Sequence, residues 1–294
     1  MRLNDSTGFL AAMGFLLMGG MFFVSCHEEL PPVIMTAEEK PLLDTFYIGP
    51  APSAAVKKVL LFDVTGVRCN NCPKAAALAK TLAASNAGRI EVVALYPKTP
   101  MSLTYPWTGF DTMSTIEADL LATALGGITS LPLGAVDQVA YNGSKLLNTS
   151  DWGAAITAQL AKTSPFNLTI KSTWQSAEGR ARVEVKATAN AAVSGNYKWV
   201  MAITESGVKS KQSDQDAPGG VVDDYEHEHA LRGVVGSTLG SDVNTTGVSA
   251  GYVREKHFYV IPKTKWVPAN CDVVVWIYDA ATKEVVQVEH VSLK

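Results

Sequence analysis

The chain has 294 residues, 25 Lys and Arg against 28 Asp and Glu, a net charge of −3 and 47% hydrophobic residues. That length exceeds the usual size of one domain, so two are expected, each large enough to bury a core. With no basic field and no long Lys/Arg run, the composition excludes nucleic acid as a partner.

Residues 1–25 read as a lipoprotein signal peptide. Arg2 gives a sparse positive end, residues 8–24 are almost wholly apolar, and Phe23-Val24-Ser25-Cys26 resembles a bacterial lipobox. In that reading Ser25 permits cleavage and Cys26 becomes the lipid-modified N-terminus, whose acyl chains anchor the protein stably. An uncleaved anchor and an ordinary secretory signal are the competing readings. Residues 26–54 carry His27-Glu28-Glu29 and then Pro31, Pro32, Pro41, Pro50 and Pro52, which suggests a tether rather than core. Acidic residues just behind a lipidated cysteine resemble the signal that exports lipoproteins to the cell surface in some Gram-negative anaerobes; the plainer reading is a solvated linker.

Residues 55–165 alternate strand and helix signals. The apolar run 59–64 leads into Cys69-Asn70-Asn71-Cys72-Pro73 and then an alanine-rich helix to about residue 85, with Pro73 suited to its first turn. Strand, C-x-x-C and helix in this order read as a thioredoxin-like redox turn, in which the helix dipole favours a Cys69 thiolate and Cys72 resolves. A second buried strand spans residues 90–96, and the loop 98–111 holds Tyr105, Trp107 and Phe110, either a binding surface or residues folded back as core. A helix over residues 114–125 and a strand after Leu131-Pro132 follow, then a turn at Asn142-Gly143 and a closing helix over 151–162. Pro132 resembles the cis-proline that thioredoxins set against their disulfide. Asp63 stands six residues before Cys69, the offset of the buried carboxylate in thioredoxins, and would take the proton from Cys72. The competing reading is a structural staple: a Cys69–Cys72 disulfide, persistent in an oxidising envelope, with no turnover.

Residues 166–294 alternate strands and turns, the pattern of a β-sandwich. Within them Asp223-Asp224-Tyr225-Glu226-His227-Glu228-His229 reads as a strand with His227 and His229 on one face. No third ligand follows at diagnostic spacing, so no metal is expected and the histidines stand as binding candidates. Cys271, beside the apolar run 273–277, reads as a buried, inert thiol. No Gly-rich phosphate loop or Gly-x-Ser-x-Gly element is present, and no cofactor is expected.

Three segments together resemble the twenty-eight-kilodalton outer-membrane lipoprotein family of Gram-negative anaerobes: Asp63-Val64-Thr65-Gly66 leading to the C-x-x-C, Leu131-Pro132-Leu133-Gly134, and Tyr225 through Arg232. The resemblance implies a fold of α/β plus all-β class, a thioredoxin-like domain followed by a β-sandwich domain. It also implies an outer-membrane location through the lipid anchor, facing the surface or else the periplasm. For function it implies adhesion or binding to an unknown protein or surface ligand, with an envelope thiol-disulfide oxidoreductase using Cys69 and Cys72 as the alternative.

Overall fold

Buried apolar runs and alternating strands dominate the chain, and the fold follows from how each is covered. The computed structural model describes residues 41–294, so the signal peptide, Cys26 and the first part of the tether lie outside the described residues. In chain order these form β1 (Leu43–Ile48), β2 (Val59–Val64), α1 (Cys72–Ser85), β3 (Ile90–Leu95), α2 (Met101–Thr104), α3 (Ile116–Ala124), β4 (Leu133–Val136) and α4 (Thr149–Leu160). Strands follow: β5 (Phe166–Gln175), β6 (Arg180–Ala189), β7 (Tyr197–Glu205), β8 (Val208–Ser213), β9 (Val221–His227), β10 (Ala230–Val234), β11 (Ser241–Asn244), β12 (Tyr252–Val260), β13 (Cys271–Asp279) and β14 (Val285–Ser292). The described chain is mostly β with few helices.

One sheet runs in the order β14-β13-β7-β10-β3-β2-β4, with β11 also on β7; a second runs β1-β12-β6-β5. The larger sheet crosses residue 165, because β10 lies parallel to β3 through Ala230 and Ala94, and Ala94 N donates to His229 O at 2.9 Å. It also curls: Lys58 N donates to Gln287 Oε1 and Val285 N to Asp137 O, so β14 touches β2 across the strands between them.

Period-two alternation sorts the cores. Trp199, Met201 and Ile203 of β7 with Val273, Val275 and Ile277 of β13 meet Val183, Val185 and Ala187 of β6 and Phe258 of β12, so the two sheets share one core. The alternate residues, Val200, Ala202, Val274 and Trp276, face inward with Leu60, Phe62, Val93 and Leu95, closed by Ala118, Leu121 and Ala122 of α3. On the other face of β2 and β3, Val59, Leu61, Ile90 and Val92 pack on Ala75 and Ala79 of α1 and on Trp152 and Ile156 of α4. β2 is therefore covered on both sides, which is why its sequence shows no polar face.

Local chemistry fixes the helices. Thr115 caps α3 by accepting from Ala118 N, and Glu117 and Asp119 in the first turn suit the dipole. Gly134 lets α4 close: a Cβ there would lie 2.4 Å from the Trp152 ring. The tether expected over residues 26–54 is corrected at its end. Leu43–Ile48 forms β1 and pairs antiparallel with β12 along an open sheet edge, where backbone pairing and not burial orders a proline-flanked segment that reads as linker.

Candidate functional site

Asp63 falls on the β2 face that α1 covers, since it continues the Val59, Leu61 row. β2 ends one residue later, and Cys69 and Cys72 close a disulfide with Cα atoms 5.4 Å apart at the start of α1. The Leu131–Pro132 peptide leading into β4 is cis.

Two segments enclose this turn. On one side Arg68 N donates to Leu103 O, the Arg68 side chain donates to Tyr105 O and Pro106 O, and its guanidinium lies 4.0 Å over the Trp107 ring. Trp107 Nε1 donates to Val67 O, so Trp107 folds back toward the core while Tyr105 stays exposed and Phe110 is half-buried. On the other side β8 and β9 form a two-stranded arm that belongs to neither large sheet. Gln212 Nε2 donates to Gly66 O at 3.2 Å and to Cys69 O at 3.0 Å; Ser213 N donates to Val67 O and Gln215 N to Asn70 O. Cys69 and Cys72 are left 3% and 2% exposed.

That latch makes a testable statement. Gln212→Ala removes a buried donor from two carbonyls at a cost of about 1–3 kcal/mol, and reduction of an enclosed disulfide must pass through local opening. Reduction by dithiothreitol, followed by alkylation and mass shift, is expected to run roughly 5- to 140-fold faster in the variant, tenfold for each ~1.4 kcal/mol. An unchanged rate would show that the arm does not guard the disulfide.

Behind the disulfide lies a cavity of about 540 Å³, lined by Asp63, Cys72 and small residues of α1 on one side and by residues 225–229 on the other. Asp63 is 3% exposed, its Oδ1 has no hydrogen-bond partner among the described residues, and burial pushes its carboxyl up to about 7. His227 is equally enclosed: its Nδ1 shares a 3.0 Å hydrogen bond with Tyr96 Oη, its Nε2 has no partner among the described residues, and burial pushes the imidazole down to about 4. Burial, and then the nearby Asp63, holds the Tyr96 phenol well above its ordinary range.

The pairing of His227 and His229 on one strand face is corrected. β9 ends at His227, and His229 takes φ 54° in the turn to β10, so the two-residue period breaks between them; both still line the cavity. Cys271 forms no disulfide among the described residues and is buried, and burial pushes its thiol up to about 12. Tyr96, Gln212 and Tyr225 enter the site without having been singled out as site residues in the sequence. Tyr96 carried a faint signal, lying two residues past Ala94 on the face of Asp63's neighbours.

Fold and site define a mostly β protein with a disulfide at a strand–turn–helix junction, enclosed by a β-arm. Residues 123–294 match the family described as Outer membrane protein Omp28, and the chain belongs to that family of outer-membrane proteins. The matched residues include the arm, His227, His229 and Cys271; the cysteine pair lies before them. Among solved structures, HBP35 of Porphyromonas gingivalis is similar at 16% identity and TM-score 0.61, over 82% of this chain and 77% of that one, which bears on fold alone. A domain of the outer-membrane lipoprotein Omp28 from Porphyromonas gingivalis aligns at 18% identity and TM-score 0.27, over 45% of this chain and 89% of that one. No curated protein matches the chain.

Proposed function

We propose that this outer-membrane protein is held by lipid on Cys26, faces the cell surface and binds a partner there. In this reading residues 55–165 supply a thioredoxin-like set of elements and residues 166–294 the strands of a β-sandwich, joined by the sheet that crosses residue 165, and the Cys69–Cys72 disulfide pins the turn. The observation that carries it is the enclosure of both cysteines, 3% and 2% exposed under the latched arm, where an exchange enzyme needs its attacking sulfur accessible. Exposed Tyr105, beside Trp107 and Phe110, supports the loop as part of the contact surface. Cys26→Ser should move the protein out of the membrane fraction, and protease added to whole cells should remove residues 166–294. Full protection of those residues would sink the surface role.

One observation favours the oxidoreductase reading. A staple has no use for a buried, unpartnered carboxyl, yet Asp63 is kept behind the disulfide with its carboxyl up at about 7. In that chemistry a Cys69 thiolate attacks a substrate disulfide, Asp63 takes the Cys72 proton, and the Cys72 thiolate displaces the second substrate thiolate. A dithiol donor must then reduce the regenerated disulfide. Accumulation of a mixed disulfide through Cys69 in the Cys72→Ser variant is the outcome this reading requires; its absence removes it.

A further inference from the structure

We propose that the cavity between α1 and the β8–β9 arm is a binding site for small organic amines, with the ammonium group set at Asp63 among the rings of Tyr96, Tyr225 and His227. This names a ligand class for the binding reading above and rests on it.

The volume, about 540 Å³, lies within the roughly 300–1,000 Å³ of small-molecule sites. Its α1 and β3 side is small and apolar, with Ala76, Ala79, Val92 and Ala94, so the space comes from side chains that stop short of filling it. Two buried polar atoms at this cavity, Asp63 Oδ1 and His227 Nε2, have no partner among the described residues. Each such group costs about 1–3 kcal/mol, and an occupant that supplies hydrogen bonds relieves both.

The charges choose the occupant's sign. From the arm and the turn after it come Glu226, paired at the surface with Lys209, and Glu228; from β2 comes Asp63; from α1 comes Lys80. Carboxyls outnumber the amine, and the buried one lacks a salt bridge among the described residues. The His227 ring stands edge-on to Tyr96 with centroids 5.8 Å apart and tilted against Tyr225 at 4.8 Å. Aromatic faces beside a carboxylate stabilise an ammonium group. The apolar wall takes a short hydrocarbon body, and His227 Nε2 is left for a second polar group.

The test titrates the mature chain at pH 8 with n-hexylamine, n-hexanol and hexanoate by calorimetry, with ligand-observed NMR as a second readout. Hexylamine is expected to bind saturably, hexanol at least tenfold more weakly and hexanoate not at all. Asp63→Asn should weaken hexylamine at least tenfold. Ala76→Leu, which fills the cavity from α1 and leaves every charge in place, should abolish binding. Thermal melts check that both variants fold; if either does not, the ratio of amine to alcohol on the natural chain decides. Equal binding of amine and alcohol, indifference to Asp63→Asn in a folded variant, or no saturable binding overturns the proposal. None of these outcomes touches anchoring or surface exposure, which proteolysis of whole cells reads separately.

Discussion

Asp63→Asn is expected to make the protein more stable at pH 8 by about 4 kcal/mol, and to leave stability nearly unchanged at pH 4. Burial raises the folded-state carboxyl from 3.8 to about 7, so between those values the folded chain binds a proton that the unfolded chain has lost. The carboxyl's contribution is therefore most favourable below about pH 4, declines as pH rises and reaches its full penalty above about 7. Three units at ~1.4 kcal/mol each give a penalty of ~4 kcal/mol. The protonated carboxyl and the Asn amide both lack partners among the described residues, so the cost of an unpartnered polar group is common to the two proteins and cancels in the difference. Urea unfolding of the two proteins at pH 4, 6 and 8 measures the difference. A gap that stays constant with pH would show that Asp63 does not titrate in this window.

His227 works in the opposite direction, and the two together shape the acid limb. Burial lowers its imidazole from 6.5 to about 4, so its contribution is lost as pH falls from about 6.5 to 4. In the natural chain the gain from Asp63 offsets that loss over nearly the same window. With Asp63→Asn the loss at His227 stands alone, so the variant should lose stability more steeply on acidification. A site that keeps two such opposed, partnerless groups at one cavity is expensive for folding alone, which is why it reads as functional.

Much of the scaffold was legible because its signals are local. The run 59–64 coincides with β2, and the helix read over residues 73–85 needed only Cys72 added at its start. Asn142-Gly143 forms the expected tight turn, with both residues at positive φ and Tyr141 paired to Ser144. What escaped depends on contacts distant in sequence. β1 reads as linker because its partner β12 comes some two hundred residues later. The arm is polar and short, and nothing in residues 208–227 tells that Gln212 will reach the carbonyls of Gly66 and Cys69. Asp63 was found from its offset to Cys69, whereas Tyr96 and His227 converge on it only once β3 and the arm are placed. The break in register at His229 depended on a left-handed residue that no alternation pattern announces.

Breaking the Lys57–Asp137 pair should cost about 3–5 kcal/mol. Their side chains are 1% and 0% exposed, with Lys57 Nζ 2.7 Å from Asp137 Oδ2. Asp137 Oδ1 accepts from Leu60 N, its own N–H donates to Leu60 O, and its carbonyl accepts from Val285 N. One residue thus ties the end of β4 to β2 and to β14, and so closes the curl of the larger sheet beside the strand that carries Asp63. Burial raises the Asp137 carboxyl to about 6 and lowers the Lys57 amine, so each charge depends on the other to offset its desolvation. Asp137→Asn keeps a residue suited to φ 46° and a side-chain oxygen for Leu60. What it removes is the charge, leaving Lys57 buried and unpaired. A loss of ~3 kcal/mol corresponds to roughly 6–12 °C in Tm for a unit of this size. Lys57→Met alone should cost similarly, since it strands the carboxylate, whereas the double variant should recover most of the loss because no charge stays buried. If the double variant is as unstable as the sum of the singles, the pair is not coupled, and closure of the sheet rests on the backbone bonds of Asp137 alone.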